Sequence, residues 1–346
     1  MPYMPNLPQI PNRYAEAHAN PQGEGDARPT AFQIIQDEGL IGKLSDKVAL
    51  VTGGTNGIRL EIVRHLAKTG MNVFFTSRDL AKGEKVKNQL QREDPSLKLE
   101  VVQMELKSLM SVKKGAEQII NNTNRLDVLV NNAGIAATPR GYTEEGYEQQ
   151  FGVNYLAHFY LFQLLKPLLL STAANHNVNM RDITTSSTSH TASTVLPENS
   201  YDTANPNGKG YEPGVSYAHS NTAKIWFCNE VERRYGSVGI HAISIHPGGV
   251  GSGLMEFSDE ETRKMLEKLI QMLHIKNVWK SVEQGAATSV LASVGKEYDG
   301  VGGFYMEDCD DVNWSGYGFK SWAFDEEGEK KLWADSLKMV GLEDDL

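Results

Sequence analysis

From residue 48 onward the chain alternates short, uninterrupted apolar runs with longer stretches of helical character. The runs at 48–51, 72–76, 99–104, 128–130, 183–186, 241–245 and 303–306 read as strands. The segments at 56–68 and 79–92 read as the helices that follow the first two. Strands that lack polar alternation must be covered on both faces, which is the pattern of a parallel sheet. Right-handed crossovers then favour an α/β architecture with a doubly wound sheet. No internal repeat or linker interrupts the series, so residues 45–346 are expected to form a single domain.

The first 44 residues have a different character. Six prolines (Pro2, Pro5, Pro8, Pro11, Pro21 and Pro29) are separated mainly by polar residues. Proline fixes φ and has no amide donor, so this stretch predicts either a flexible tail or an arm draped over the domain or a partner subunit. A short amphipathic helix is expected within 31–44, with Phe32, Ile34, Ile35 and Leu40 available for docking.

Composition narrows the function classes. A chain of 346 residues that is 40% hydrophobic can build a sizeable core. Its net charge of −10 repels a phosphate backbone, so nucleic acid is not an expected partner. Cys228 and Cys309 lie far apart and in no metal-ligand spacing, which argues against a zinc site or a disulfide framework. The richest apolar stretch, 159–170, is broken by Gln163 and Lys166, so no membrane span is expected. The N-terminus lacks the basic start and apolar block of a secretory signal, and a soluble cytoplasmic protein is the expectation.

The first strand runs directly into Thr52-Gly53-Gly54-Thr55-Asn56-Gly57-Ile58-Arg59 and then a helix. Glycines here let the backbone approach a pyrophosphate seated on the unpaired amides of the helix N-terminus. Asn131-Asn132-Ala133-Gly134 follows the fourth strand, Tyr217 stands at a helix start, and Pro247-Gly248 follows the sixth strand. In that order and spacing these motifs resemble the short-chain dehydrogenase/reductase family over about residues 45–340, which implies a Rossmann-type fold. Ser77-Arg78-Asp79, Tyr217-Ala218-His219-Ser220, Glu283-Gln284-Gly285-Ala286-Ala287 and the segment 303–309 are similar to its retinol-dehydrogenase-like and fungal oxidoreductase branch.

The resemblance implies dinucleotide contacts along Gly53, Thr55, Asn56, Gly57, Ile58 and Arg59, and at Glu105, which stands where the family usually has aspartate. It adds Asn132, Ala133 and Gly134, then Tyr217 and Asn221, and finally Pro247, Gly248, Val250 and Ser252. Cofactor preference has its own physical argument. Arg78 lies 21 residues after Gly57, where an acid would bind ribose hydroxyls and a cation would bind a 2′-phosphate. The guanidinium favours NADP(H) over NAD(H).

By resemblance the chemistry is hydride transfer between the nicotinamide and a carbonyl/alcohol carbon. Tyr217 is the general acid/base, Ser187 hydrogen-bonds the substrate oxygen, and Asn154 holds a relay water. Two positions depart from the family. Arg59 replaces a third glycine, and its side chain either binds phosphate or projects into the nicotinamide volume. Asn221 replaces the lysine expected four residues after Tyr217, removing a cation that would lower the tyrosine pKa. Lys224 stands about 10 Å along the helix axis at ~1.5 Å per residue, too far to substitute directly. Arg59 is therefore the more interesting candidate for the missing charge. His190 and His219 read as structural or rim histidines.

Between Ser187 and Tyr217 lie 29 residues, a loop length that suits a ligand-binding segment beyond the strand ends. A second substrate wall is expected over 249–273, lined by Leu254, Met255, Phe257, Met265, Leu269 and Met272. Three readings follow. The first is an NADP(H)-dependent oxidoreductase acting on a medium-sized apolar small molecule, such as a lipid-like carbonyl or a polycyclic secondary metabolite. The second is a non-redox isomerase, cyclase or dehydratase on the same pocket, and the third a non-catalytic binding protein. The resemblance also implies a homo-oligomer.

Overall fold

The computed structural model describes residues 10, 13–195, 211–251, 260, 264, 275–311 and 321–344. Two short helices, α1 (Ala15–Ala19) and α2 (Ala31–Asp37), precede the sheet. The chain then runs β1 (Val48–Val51), α3 (Gly57–Lys68), β2 (Asn72–Ser77), α4 (Leu80–Glu93), β3 (Lys98–Gln103), α5 (Leu109–Asn122) and β4 (Val128–Asn131). Next come α6 (Gln149–Phe151), a π-helical turn (Gly152–Leu156), α7 (Ala157–His176), β5 (Met180–Thr185), α8 (Pro213–Tyr235) and β6 (Ile240–His246). Helices α9 (Val282–Gly285) and α10 (Ala287–Val294), strands β7 (Phe304–Glu307) and β8 (Asp310–Asp311), and α11 (Glu326–Met339) complete it.

The strands form one sheet in the order β3-β2-β1-β4-β5-β6-β7-β8, parallel from β3 through β7. Only β8 pairs antiparallel, at the edge. All four residues of β1 and all four of β4 are buried, as expected for strands covered on both faces. One face is filled by Phe159, Phe162, Phe227 and Trp333, with the Trp333 ring stacked on Phe227 at 6.3 Å. The other carries Ile34 and Ile35 of α2 in one core with Ile62, Leu66 and Val290. The strand order reverses between β1 and β4, and the loops leaving their carboxyl ends flank the crevice where such sheets bind ligands.

The helix expected within 31–44 is shorter than that span. It stops at Asp37 because Gly39, at φ +66°, turns the chain and Leu40 N donates back to Ile35 O at 2.9 Å. In the proline-rich region, residues 13–30 lie as an arm against the domain. Tyr14 donates to Asp37 at 2.9 Å. Arg28, only 4% exposed, donates to the carbonyls of Gly23, Val278 and Trp279 at 3.0, 2.7 and 2.6 Å and pairs with Asp26. Among the described residues, no helix is long and apolar enough to cross a membrane, and no acid, histidine or cysteine group could hold a metal.

Truncating Arg28 would leave several carbonyls without their donor and Asp26 without its partner. Arg28→Ala is therefore expected to destabilise the fold by about 2–4 kcal/mol, read from the urea midpoint. An unshifted midpoint would show that the arm is not anchored there.

Candidate active site

Thr52 follows directly on β1 and organises the crevice. Its Oγ1 accepts the amides of Asn132 and Ala133 at 2.9 and 3.0 Å and lies 3.0 Å from His158 Nε2. The His158 Nδ1 faces the Asn154 carbonyl at 3.0 Å. A carbonyl only accepts, so Nδ1 carries the proton, Nε2 is bare, and the Thr52 hydroxyl donates into it. Burial first, and then the charge of Lys224, push His158 down to about 3, which keeps the ring neutral.

The glycine loop follows Thr52. Gly53 and Gly57 have φ of +76° and +55°, conformations that side chains strain. At Gly54 a Cβ would stand 2.7 Å from the Phe75 side chain, so glycine there lets the loop lie on β2. Arg59 folds back over this loop: a Cβ on Gly53 would lie 3.1 Å from its Cδ, and its Nη2 donates to Asn56 Oδ1 at 3.2 Å. Asn56 is the N-cap residue of α3, yet its side chain makes no cap hydrogen bond. Thr55 N returns to Gly53 O at 3.0 Å, and Ile58 turns its side chain toward Gly285, leaving only backbone for a ligand. The loop thus carries a guanidinium beside a helix N-terminus, a donor set whose chemistry fits the phosphates of a dinucleotide.

Arg78 is exposed at the end of β2, while the neighbouring Asp79 accepts Lys82 N and caps α4. Glu105 spends its carboxylate on the amide of Lys107 at 3.1 Å. Across the crevice, Gly248 has φ +91° and a Cβ there would meet Lys280 at 2.8 Å. Val250 pairs in a parallel bridge with Lys280, whose buried ammonium binds Asp308 at 2.6 Å. Pro247 begins this turn. Ser252, the expected apolar wall (Leu254, Met255, Phe257, Met265, Leu269 and Met272) and residues 196–210 of the long loop lie outside the described residues.

The catalytic candidates come together at the ends of β5 and α8. Asn154 sits in the π-helical turn, a local geometry common at functional sites. Its amide is fully used: Oδ1 accepts Ile135 N at 2.9 Å, and Nδ2 donates to Ile135 O and Ser220 Oγ at 2.9 and 3.0 Å. Ser220 in turn donates to the Tyr217 carbonyl at 2.8 Å. Ser187 caps the short turn after β5 through Ser189 N, at 3.1 Å. Burial pushes the Tyr217 pKa up, and hydrogen bonding to Ser187 and Asn221 pulls against that rise. The two histidines support the frame: His190 Nδ1 meets Ser187 O at 2.7 Å, and His219 Nε2 meets Ser193 Oγ at 2.6 Å.

Lys224 leans back along α8 to Asn221, the residue that stands in place of the family lysine. Its Nζ stands 3.4 Å from Asn221 Oδ1 and donates to Thr185 O at 2.8 Å. Helix rise separates backbones, but a long side chain leans toward the helix N-terminus and spans most of a turn. Arg59, the other candidate for the missing cation, lies over the glycine loop instead. Sequence reasoning also missed His158, four residues after Asn154, and Lys280, which only the tertiary fold brings to Gly248.

Residues 47–193 match the family described as short chain dehydrogenase. The chain is similar to the oxidoreductase calI of Penicillium decumbens, 41% identical over 350 residues that cover 96% of this chain and 98% of that one. It is 30% identical to the polyprenol dehydrogenase of Homo sapiens over 86% of each chain. Among solved structures, an uncharacterised protein from Mycobacterium paratuberculosis shares the fold with a TM-score of 0.64 at 26% identity, covering 87% of this chain and 95% of that one.

Thr52→Val keeps the shape of the hub but leaves two amides without an acceptor. A loss of about 2–4 kcal/mol is expected by chemical denaturation, with Thr52→Ser close to the parent. Equal stability of the valine variant would contradict the hub.

Proposed function

The chain belongs to the short-chain dehydrogenase/reductase family, and on that premise we propose that it is an NADP(H)-dependent oxidoreductase interconverting a carbonyl and an alcohol on a medium-sized apolar substrate. The observation that carries this reading is the meeting of the Tyr217 phenol with Ser187 and Asn221 beside the β1/β4 crevice. A half-buried phenol with two such neighbours can give a proton to a developing alkoxide and recover it from solvent. Ser187 holds the substrate oxygen toward Tyr217. Asn154 fixes the loop after β4 against α8, so the two halves of the site keep their spacing.

The glycine loop and Arg59 would hold the pyrophosphate, and Arg78 the 2′-phosphate. Asn132, Ala133 and Gly134, with Gly248 and Val250, would border the rest of the cofactor. When bound, NADPH supplies the hydride. The relation to a polyprenol dehydrogenase supports an apolar alcohol or carbonyl as substrate class. A cytoplasmic setting and association of two copies belong to the same reading.

Tyr217→Phe is expected to lower NADPH-linked carbonyl turnover by about 10²–10⁴-fold while NADPH still binds. Activity surviving that change would remove Tyr217 from the chemistry. Arg78→Ala is expected to weaken NADPH binding by about tenfold and leave NADH unaffected. Equal losses for the two nucleotides would argue against a 2′-phosphate contact.

A further inference from the structure

We propose that the N-terminal arm is a working part of the dinucleotide crevice: it clasps residues 278–285, and that segment fixes the turn after β6 against the glycine loop. The consequence for cofactor binding rests on the oxidoreductase reading, in which the turn and the loop are the two borders of the site. Arg28 is the anchor. Its Nη1 and Nη2 donate to the carbonyls of Val278 and Trp279 at 2.7 and 2.6 Å, and Asp26 holds the guanidinium at 2.8 Å. Gln284, 1% exposed, grips the arm in return. Its Nε2 donates to the carbonyls of Asp26 and Arg28 at 3.2 and 3.1 Å, and its Oε1 accepts Gly25 N at 3.0 Å. The same Oε1 accepts Ser281 N at 3.0 Å and closes the capping box of α9. A helix of four residues has too few bonds of its own to hold its place, so these partners set it.

Lys280 carries the clasp into the site as a positioning residue. Its backbone N donates to Gly249 O at 2.8 Å, and Val250 bridges to it in parallel. Its stem runs beneath Gly248, where a Cβ would stand 2.8 Å from Cδ and Cε. The buried ammonium pairs with Asp308 at 2.6 Å, and Asp308 in turn stands 3.8 Å from Nε2 of His18 in the arm. Asp308 and Cys309 hold φ of +54° and +61°, left-handed conformations that non-glycine residues keep only where their surroundings fix them. Gly285 makes the contact with the loop: a Cβ there would lie 2.6 Å from Val250 Cγ2 and 3.1 Å from Ile58 Cγ1. Helix α9 therefore touches the turn after β6 and the first turn of α3 at one point. The arm also reaches the far end of the turn directly, since a Cβ on Gly251 would be 3.8 Å from Glu24 Oε1.

Three segments distant in sequence are thus tied together by hydrogen bonds beside the crevice. A dinucleotide that contacts both the glycine loop and the turn needs the two at a fixed spacing. Where that spacing is held beforehand, no binding energy goes to ordering the turn. Cutting the clasp leaves the sheet and the glycine loop intact but frees the turn, so affinity falls while the core stays folded.

Arg28→Met and Lys280→Met, made in the full-length protein, are each expected to raise the Kd for NADPH about tenfold, followed by nicotinamide fluorescence. Lys280→Arg keeps a cation for Asp308 and should bring binding back to within about threefold of wild type. In the double methionine variant the two losses should not add, because both cut one connection. Tyr14→Phe loosens the arm at Asp37, away from 278–285, and should change Kd by less than about twofold. A second readout needs no nucleotide. Deuterium exchange over 278–285 should quicken about tenfold in Arg28→Met, while β1 and β4 keep the wild-type rate. Wild-type affinity in both methionine variants, additive losses, or a Tyr14→Phe loss as large as theirs would overturn the proposal, as would unchanged exchange over 278–285. If the wild type binds no nucleotide, the proposed function fails and exchange alone decides the clasp. If a methionine variant does not fold, Gln284→Met cuts the same clasp from the other side and takes its place.

Discussion

The hydroxyl of Thr52 is the interaction on which the site depends. At the strand reversal between β1 and β4 the backbone must leave the ladder, and its amides need acceptors in a buried place. Thr52 takes two of them, from Asn132 and Ala133, and gives its own proton to His158. The ring passes the connection to the Asn154 carbonyl, and the Asn154 amide passes it to Ile135 and Ser220. Through Ser220 it reaches the backbone of Tyr217. One continuous hydrogen-bonded path therefore sets the glycine loop against the catalytic helix, with every donor and acceptor assigned.

The distribution of charge follows from that frame. Arg59 adds a cation where the family pattern has glycine, and the open mouth of the loop gives it room beside Asn56. Asn221 removes a cation next to Tyr217, and the Lys224 amine lies 3.4 Å from the Asn221 Oδ1. The non-redox alternative drew its strength from the absence of a positive group near Tyr217. With the Lys224 amine lying against Asn221, that motive is weaker.

Most of the fold was legible because its strands are continuous apolar runs, which only a doubly covered parallel sheet can bury. β1, β2 and β4 fall within a residue of where those runs place them. The glycine loop, Asn154, Ser187 and Tyr217 were legible as motifs. Other features were hidden for identifiable reasons. Docking of the proline-rich arm depends on carbonyls of Val278 and Trp279, some 250 residues away in sequence. The end of α2 turns on one left-handed glycine rather than on the apolar pattern. Lys280 carries no local signal, since only its bridge to Val250 brings it beneath Gly248.

The central claim is that this crevice, with Arg59 folded over its loop, still receives a phosphorylated dinucleotide. Titration of the purified wild-type protein with NADPH and with NADH, followed by nicotinamide fluorescence, tests it most directly. Saturable binding that is tighter for NADPH is the expected result. Failure of both nucleotides to bind would put the Arg59 side chain in the cofactor's place and contradict the account.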